Sequence, residues 1–558
     1  MVEKEVQRGW RACGVRTFLF LGCWVLAACG SDHDDEPAPV PPDEYGFGAC
    51  PGNLPGSTAG RACAVTKVPL RWDEPDGKKI DVLVARYLSA TPHQGQIWLL
   101  DGGPGGTGAV YMQEEVLALY ASLGLDVYVP QHRGTGHSTP FSCKSEDFTA
   151  CGNELVAKWG DGLRGFHSTE AARDVGSLIE RNRAEGERVF VFGLSYGSYW
   201  AQRYLQEFPS QADGVILEGV FPLSEDLWVG DVLADAAARS VFDACRADAD
   251  CAGAFGDEDP EDVARRVLSD SKLPESRCMG DDGPTREFVE AVLSLLVVID
   301  LGHFTPGLLR RLDRCSDEDQ KELLALVEFL SKALVAASDP AIDNTILGNH
   351  VLRTDLMAKL STFPLDDMLA AREPLVFWSG AASSEALDAV VEGWPVNYPP
   401  ASTALEGVAT PIVMLNGGLD IQTPSPWARK LAKQLGAPLV EFPYVGHGVD
   451  VSLASPLTGG DPSCSLGILR SFIDDPTGAI DGSCAKTAYT PDVGGHGEVA
   501  KRVAAKLYGH ETPLLGSEPD EPSAKHLRSA SVTDLEPIER SLRERLANAF
   551  REMRMRVR

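Results

Sequence analysis

The 558-residue chain is 44% apolar and 24% charged, with 51 basic against 81 acidic side chains. That apolar content excludes disorder over most of the length, which needs low hydrophobicity together with high net charge. A formal charge of −30 argues against a nucleic-acid partner, because a polyanion is repelled unless a basic patch overrides the field, and favours small or cationic partners.

The chain opens with Lys4, Arg8, Arg11 and Arg16, then an uncharged stretch from Thr17 to Ala28, then Cys29. This is a signal-peptide layout, shorter than the ~20 apolar residues of a bilayer span. Leu26-Ala27-Ala28-Cys29 resembles the lipobox of bacterial lipoproteins, in which the cysteine is lipidated after cleavage, so residues 1–28 are expected to be a leader and Cys29 the anchor of an exported, membrane-attached protein. An ordinary secretory or periplasmic signal is the alternative. Residues 29–47 are acidic and Pro-rich and read as a disordered tether. With the leader removed the charge becomes about −32, so the acidity belongs to the mature chain.

Of thirteen cysteines, Cys13, Cys23 and Cys29 fall in the leader region and ten remain. None has the Cys-x-x-Cys spacing of a zinc or redox site, and disulfides are the default in an exported protein. Sequence does not fix the connectivity. Nearest-neighbour pairing, which closes short loops, gives Cys50–Cys63, Cys143–Cys151, Cys245–Cys251, Cys278–Cys315 and Cys464–Cys484.

Val65–Trp72 and Ile80–Tyr87 flank Asp73-Glu74-Pro75-Asp76-Gly77 and predict a hairpin. Ile97–Leu100, Val127–Val129, Val189–Phe192 and Gly214–Leu217 read as buried strands. Between them, Ala172, Val175, Leu178 and Ile179 recur at helical spacing after Ser168-Thr169, a candidate N-cap. Alternating strands and helices argue for an α/β protein with a mostly parallel sheet, which binds ligands at the carboxyl ends of its strands. From residue 223 to 407 the pattern turns helical, as in Asp231–Val241, Phe288–Ile299 and Lys321–Ala336. Strand-like runs resume at Pro411–Leu415 and Leu439–Phe442, so the helical stretch interrupts one sheet. The organisation expected is therefore a core over 48–222 and 408–508, an inserted helical cap over 223–407, and a linker with a basic amphipathic C-terminal helix over 509–558. Such a helix suits a lipid surface or a partner, or packs on its own domain.

Gly193-Leu194-Ser195-Tyr196-Gly197 follows one strand and precedes a helical run. In that context Gly-x-Ser-x-Gly predicts a nucleophile elbow, whose glycines let flanking backbone pass where a Cβ would clash. A serine hydroxyl needs a base to take its proton and an acid to orient the base. Downstream, Asp420 follows the strand Pro411–Leu415, and His447 in Gly446-His447-Gly448 follows Leu439–Phe442. Asp450 is a rival acid, although its place three residues after His447 suits the same loop or the next helix. An oxyanion hole, worth about 3–4 kcal/mol per donor, is expected from the amides of Tyr196 and of Gly103 in Asp101-Gly102-Gly103-Pro104-Gly105-Gly106. That loop lacks the Gly-Lys-Ser/Thr ending of a phosphate cradle.

The glycine loop after Asp101, Arg133-Gly134-Thr135-Gly136-His137-Ser138, the Ser195 elbow, Asp420 within Gly-Gly-Leu-Asp-Ile-Gln-Thr-Pro and Gly446-His447-Gly448 together resemble the proline iminopeptidase and tripeptidyl aminopeptidase group of serine peptidases. The secreted tripeptidyl aminopeptidase branch is the nearer, because its C-terminal region carries a stretch similar to Cys464 through Cys484. The resemblance covers roughly residues 48–508 and departs at Asp101, often His, and at Gln131, often Asp. It implies an α/β-hydrolase fold with a helical cap and release of short N-terminal pieces from peptides. Recognition of a free α-ammonium calls for carboxylates near Ser195. Glu218 is the first candidate, with Asp101, Glu225 and the adjacent Asp226 behind it. The serine mechanism needs no metal or organic cofactor, and the absence of His-Glu-x-x-His argues against a metallopeptidase. A carboxylesterase on the same scaffold and a non-catalytic surface-binding lipoprotein are the rival readings.

Overall fold

A computed structural model describes residues 43–89, 93–145, 147–225, 230–336, 344–356, 370–371, 374–377, 394, 398 and 401–514. The expected leader, Cys29, Asp226 and the basic C-terminal helix lie outside the described residues.

Eight strands form one sheet in the order β1-β2-β4-β3-β5-β6-β7-β8. They are β1 Arg61–Pro69, β2 Lys79–Tyr87, β3 Gly95–Leu100, β4 Leu125–Pro130, β5 Val189–Leu194, β6 Gly214–Glu218, β7 Ile412–Gly417 and β8 Leu439–Phe442. The predicted β1–β2 hairpin is present, with β2 antiparallel to β1 and β4, and all other neighbours pair in parallel. The central strands read as unbroken apolar runs because helices cover both faces of the sheet.

Alternate residues point to opposite faces of a strand. Trp98, Leu100, Val191, Leu217 and Met414 meet the helices Ser168–Asn182, Tyr196–Glu207 and Ser425–Leu435 on one side. On the other, Ile97, Leu99, Phe190, Phe192, Ile216 and Val413 meet the helices Glu114–Ala121 and Ser463–Asp474. Each fully buried side chain of this kind contributes about 1.5–3 kcal/mol. The sheet is thereby a rigid platform for the loops at its carboxyl end.

Between β6 and β7 the described chain is helical, including Gly230–Ala238, Ser240–Ala247, Pro260–Asp270, Arg286–Val298, Thr305–Arg314, Asp317–Ala336 and Thr345–Val351. Asp259 with Pro260, and Thr285, cap two of these helices as their residue types favour. Asp231–Val241, expected as one helix, is divided at Arg239, which pairs with Asp235 at 2.6 Å and Glu261 at 3.1 Å. These helices build a second apolar core around Phe242, Leu293, Leu296 and Leu309.

Four assignments differ from expectation. Residues 43–47, assigned to the tether, pack on the fold: Phe47 is buried, and Asp43 pairs with Arg86 at 2.6 Å. The helix Glu498–Tyr508 packs into the core of the inserted helices through Val503, Ala504 and Leu507. Residues 510–514, expected as linker, continue that packing, because buried Arg311 donates to Thr512 O and Pro513 O and pairs with Glu322 at 2.6 Å. Ser168 is the first residue of its helix instead of its cap, since its hydroxyl is engaged elsewhere.

All five nearest-neighbour cysteine pairs are bonded. Five disulfides fit a chain that folds in an oxidising, exported compartment. Among the described residues no helix is long and apolar enough to cross a membrane.

Candidate active site

Ser195 stands between β5 and the helix Tyr196–Glu207 with φ 60° and ψ −127°. A non-glycine residue held there costs about 1–3 kcal/mol, so the surroundings must over-determine it. They do: Ser195 N donates to Glu218 O at 3.0 Å and Ser195 O accepts from Ser198 N at 2.8 Å and Ser198 Oγ at 2.7 Å. A Cβ at Gly193 would stand 2.2 Å from Gly197 O, and one at Gly197 2.0 Å from Leu100 O. The two glycines of the motif are therefore required by backbone crossing backbone.

Asp420 and His447 meet although 27 residues apart, with Nδ1 to Oδ2 at 2.9 Å. Asp420 is fully buried and satisfied: Oδ1 accepts Gln422 N at 2.9 Å and Thr423 N at 2.8 Å, while Oδ2 also accepts the Thr423 hydroxyl at 2.7 Å. Thr423 Oγ1 lies 3.2 Å from His447 Nδ1 as well, so this residue, not singled out by the motif, completes the orientation of the ring. The serine and the imidazole share the end of β6. Glu218 O holds Ser195 N, and a Cβ on the next residue, Gly219, would fall 2.9 Å from His447 Cε1.

The loop after β3 passes over the serine: a Cβ at Gly102 would lie 3.1 Å from Ser195 Cβ. Gly103 and Gly105 have φ of 109° and 112°, and the Gly103–Pro104 peptide is cis. Tyr196 begins the helix, where amides have no intrahelical partner and favour negative charge. Its side chain is pinned, with the hydroxyl 3.0 Å from His132 Nε2 and 2.9 Å from Ser168 Oγ. Ser168 Oγ in turn donates to Asp355 at 2.7 Å. Burial pushes the His132 imidazole down to about 4, so this network holds a neutral ring. Pattern reading had no signal for His132 or Asp355, since their partners are distant in the chain.

The acids expected to meet a substrate ammonium are placed otherwise. Glu218 is buried beneath the site and accepts Asp450 N at 3.2 Å, and burial raises its carboxyl well above the usual range, which removes the charge that ammonium recognition needs. Asp101 shapes the glycine loop, accepting Gly102 N at 2.8 Å and Gly108 N at 2.7 Å. Glu225 pairs with Lys430. Arg133, from the second glycine-rich motif, is a structural pin: all five of its N–H groups are used, on Asp174, Leu70 O, Gly165 O and Pro69 O. A cleft of about 470 Å³ lies beside the glycine loop, lined by Gln131, Gly136, His137, Phe141, Asn344 and Ile346, with Asn344 N donating to Gly105 O at 2.9 Å.

Residues 99–239 match the family described as the alpha/beta hydrolase fold, and residues 379–455 the family described as TAP-like protein. No curated protein matches the chain. Similar solved structures include a thermophilic esterase from Thermogutta terrifontis, 14% identical over 74% of this chain and 99% of that one with a TM-score of 0.31. A serine hydrolase from Cycloclasticus zankles is 14% identical over 75% and 100%, TM-score 0.32. A monoacylglycerol lipase from Paleococcus ferrophilus is 16% identical over 71% and 98%, TM-score 0.32.

Proposed function

Because the chain is an α/β-hydrolase of the TAP-like group, we propose that it is an exported serine aminopeptidase that releases short N-terminal pieces from oligopeptides, attached to the membrane through Cys29. The observation that carries the hydrolytic part is that Ser195, on its strained elbow, and the buried Asp420–His447 pair adjoin the same strand end, Glu218–Gly219. The peptidase part is supported by the TAP-like match over residues 379–455 and by the motif resemblance.

In this reading Ser195 Oγ attacks the scissile carbonyl carbon and its proton passes to His447 Nε2. Asp420 keeps the other proton on Nδ1 and stabilises the imidazolium. The amides of Gly103 and Tyr196 hold the oxyanion. Collapse returns the proton from Nε2 to the leaving amine and leaves an acyl-enzyme, and a water repeats the sequence to free the acid and restore Ser195.

The test is turnover of chromogenic peptides of one, two and three residues, each with a free and an acetylated amine, beside a short acyl ester. Cleavage confined to free-amine peptides is the expected result. Ester cleavage indifferent to acetylation overturns the peptidase reading in favour of an esterase, and no turnover in any arm supports a binding protein.

A further inference from the structure

Glu218 touches both halves of the candidate site. Its carbonyl holds the backbone of Ser195 at 3.0 Å, while its carboxyl Oε1 accepts Asp450 N at 3.2 Å, at the start of the helix Val449–Leu453 that follows His447. The Val449 amide also points at this carboxyl. One residue thus joins the nucleophile's strand end to the histidine's loop. Glu218 is 1% and Asp450 2% exposed; Glu218 Oε2 has no hydrogen-bond partner, and the Asp450 carboxyl has only the Ser465 hydroxyl beside it. Two buried carboxyls with unmatched oxygens cannot both be ionised at an acceptable cost.

We propose that Glu218 and Asp450 are a carboxyl pair that shares one proton and positions His447 beside Ser195, Glu218 keeping the proton and Asp450 carrying the charge. The surroundings favour this split. Tyr111 and Tyr120, from the segment Ala109–Met112 and the helix Glu114–Ala121, are buried behind the pair and supply no positive charge. Asp420 adds a second negative neighbour to Glu218, and Asp101 faces Tyr111. Ser465, on the helix Ser463–Asp474, lies beside Asp450 and eases its ionisation, so that burial lifts Asp450 only to about 6 while Glu218 is driven well above its ordinary value. The neutral glutamic acid still accepts from the loop amides through Oε1. His447, one turn before Asp450, is held through this loop, so Glu218 is a positioning residue.

The role of His447 rests on the hydrolase reading; the state of the carboxyl pair does not, and two readouts separate them. The first is thermal unfolding of wild type and Glu218→Gln from pH 5 to pH 9. A carboxyl whose folded value is raised loses stability as pH climbs above its unfolded value, so the glutamine variant should gain on wild type steadily toward high pH; parallel curves overturn the shared proton. The second is labelling of Ser195 by a fluorophosphonate and turnover of a free-amine tripeptide substrate. Glu218→Ala should lower both rates about ten- to a hundredfold with KM little changed, as for a misplacement of about 1 Å, and Glu218→Gln should recover most of that loss. A glutamine variant as impaired as the alanine one shows that a negative charge is required and overturns the proposal, as do two fully active variants. Should the alanine variant fail to fold, the glutamine variant alone decides both readouts. If wild type turns over no substrate, the hydrolase reading fails while the unfolding curves still judge the pair.

Discussion

Replacing Asp420 by Asn tests how the site assigns its protons. Asp420 Oδ1 accepts two backbone amides, of Gln422 and Thr423, and an asparagine oxygen in that position keeps both. Oδ2 accepts the Thr423 hydroxyl and faces His447 Nδ1, so an amide nitrogen there presents hydrogens to two groups that now donate. The hydroxyl can turn and accept. The imidazole can accept only by moving its proton from Nδ1 to Nε2, the atom that must receive the proton of Ser195. On a site of this geometry the wrong tautomer costs about 10⁴ in rate, or about 5 kcal/mol of barrier. The assay is the second-order rate of fluorophosphonate labelling, which reports serine activation without a known substrate, beside a thermal unfolding curve that should stay close to wild type because the backbone bonds survive. Labelling within about tenfold of wild type, with an intact fold, refutes this proton assignment.

Three further outcomes follow from the packing. Arg311→Met leaves buried Glu322 without its guanidinium partner and frees Thr512 O and Pro513 O, so denaturant unfolding should show a loss of about 3–5 kcal/mol; a loss below about 1 kcal/mol contradicts the role of this ion pair in tying residues 510–514 to the inserted helices. Burial pushes His132, His303 and His350 from 6.5 to about 4. The unfolded chain takes up protons that these rings refuse, so their contribution to stability is lost as pH falls from 6.5 toward 4, up to about 3 kcal/mol each; a melting temperature that holds or rises over that window is the contrary result. Cys278–Cys315 spans the widest interval of the five disulfides, 37 residues, and a double serine variant should lose about 4 kcal/mol on loop-entropy grounds, measured by chemical unfolding against wild type.

Much of the architecture was legible because it obeys local rules. β3 and β5 are buried on both faces and read as apolar runs, and Gly193 and Gly197 lie where backbone crosses backbone, so the elbow follows from residue type and context. Asp420 and His447 could be placed because each follows a strand whose carboxyl end opens on the site. The disulfides match the nearest-neighbour pairing, although spacing alone leaves the connectivity of ten cysteines open. What resisted was decided by side-chain direction and by contacts between distant segments. Glu218 ends β6, as expected of a site residue, yet its side chain turns beneath the loop toward Asp450, and one step of strand register separates a substrate-facing carboxyl from a buried one. Thr423 was hidden inside a recognised motif, and Asp355 reaches Ser168 across 187 residues. The ends of the fold are not legible locally because Asp43 and Thr512 lie in polar, Pro-rich sequence whose packing is set by partners elsewhere, Arg86 and Arg311.

Whether Ser195 drives peptide release from a free amine is decided by comparing the purified protein with its Ser195→Ala variant on a tripeptide chromogenic substrate with free and with acetylated amine. Wild type alone should release product from the free-amine substrate, with the acetylated form uncleaved. Equal cleavage of both forms, or turnover that survives Ser195→Ala, would contradict it.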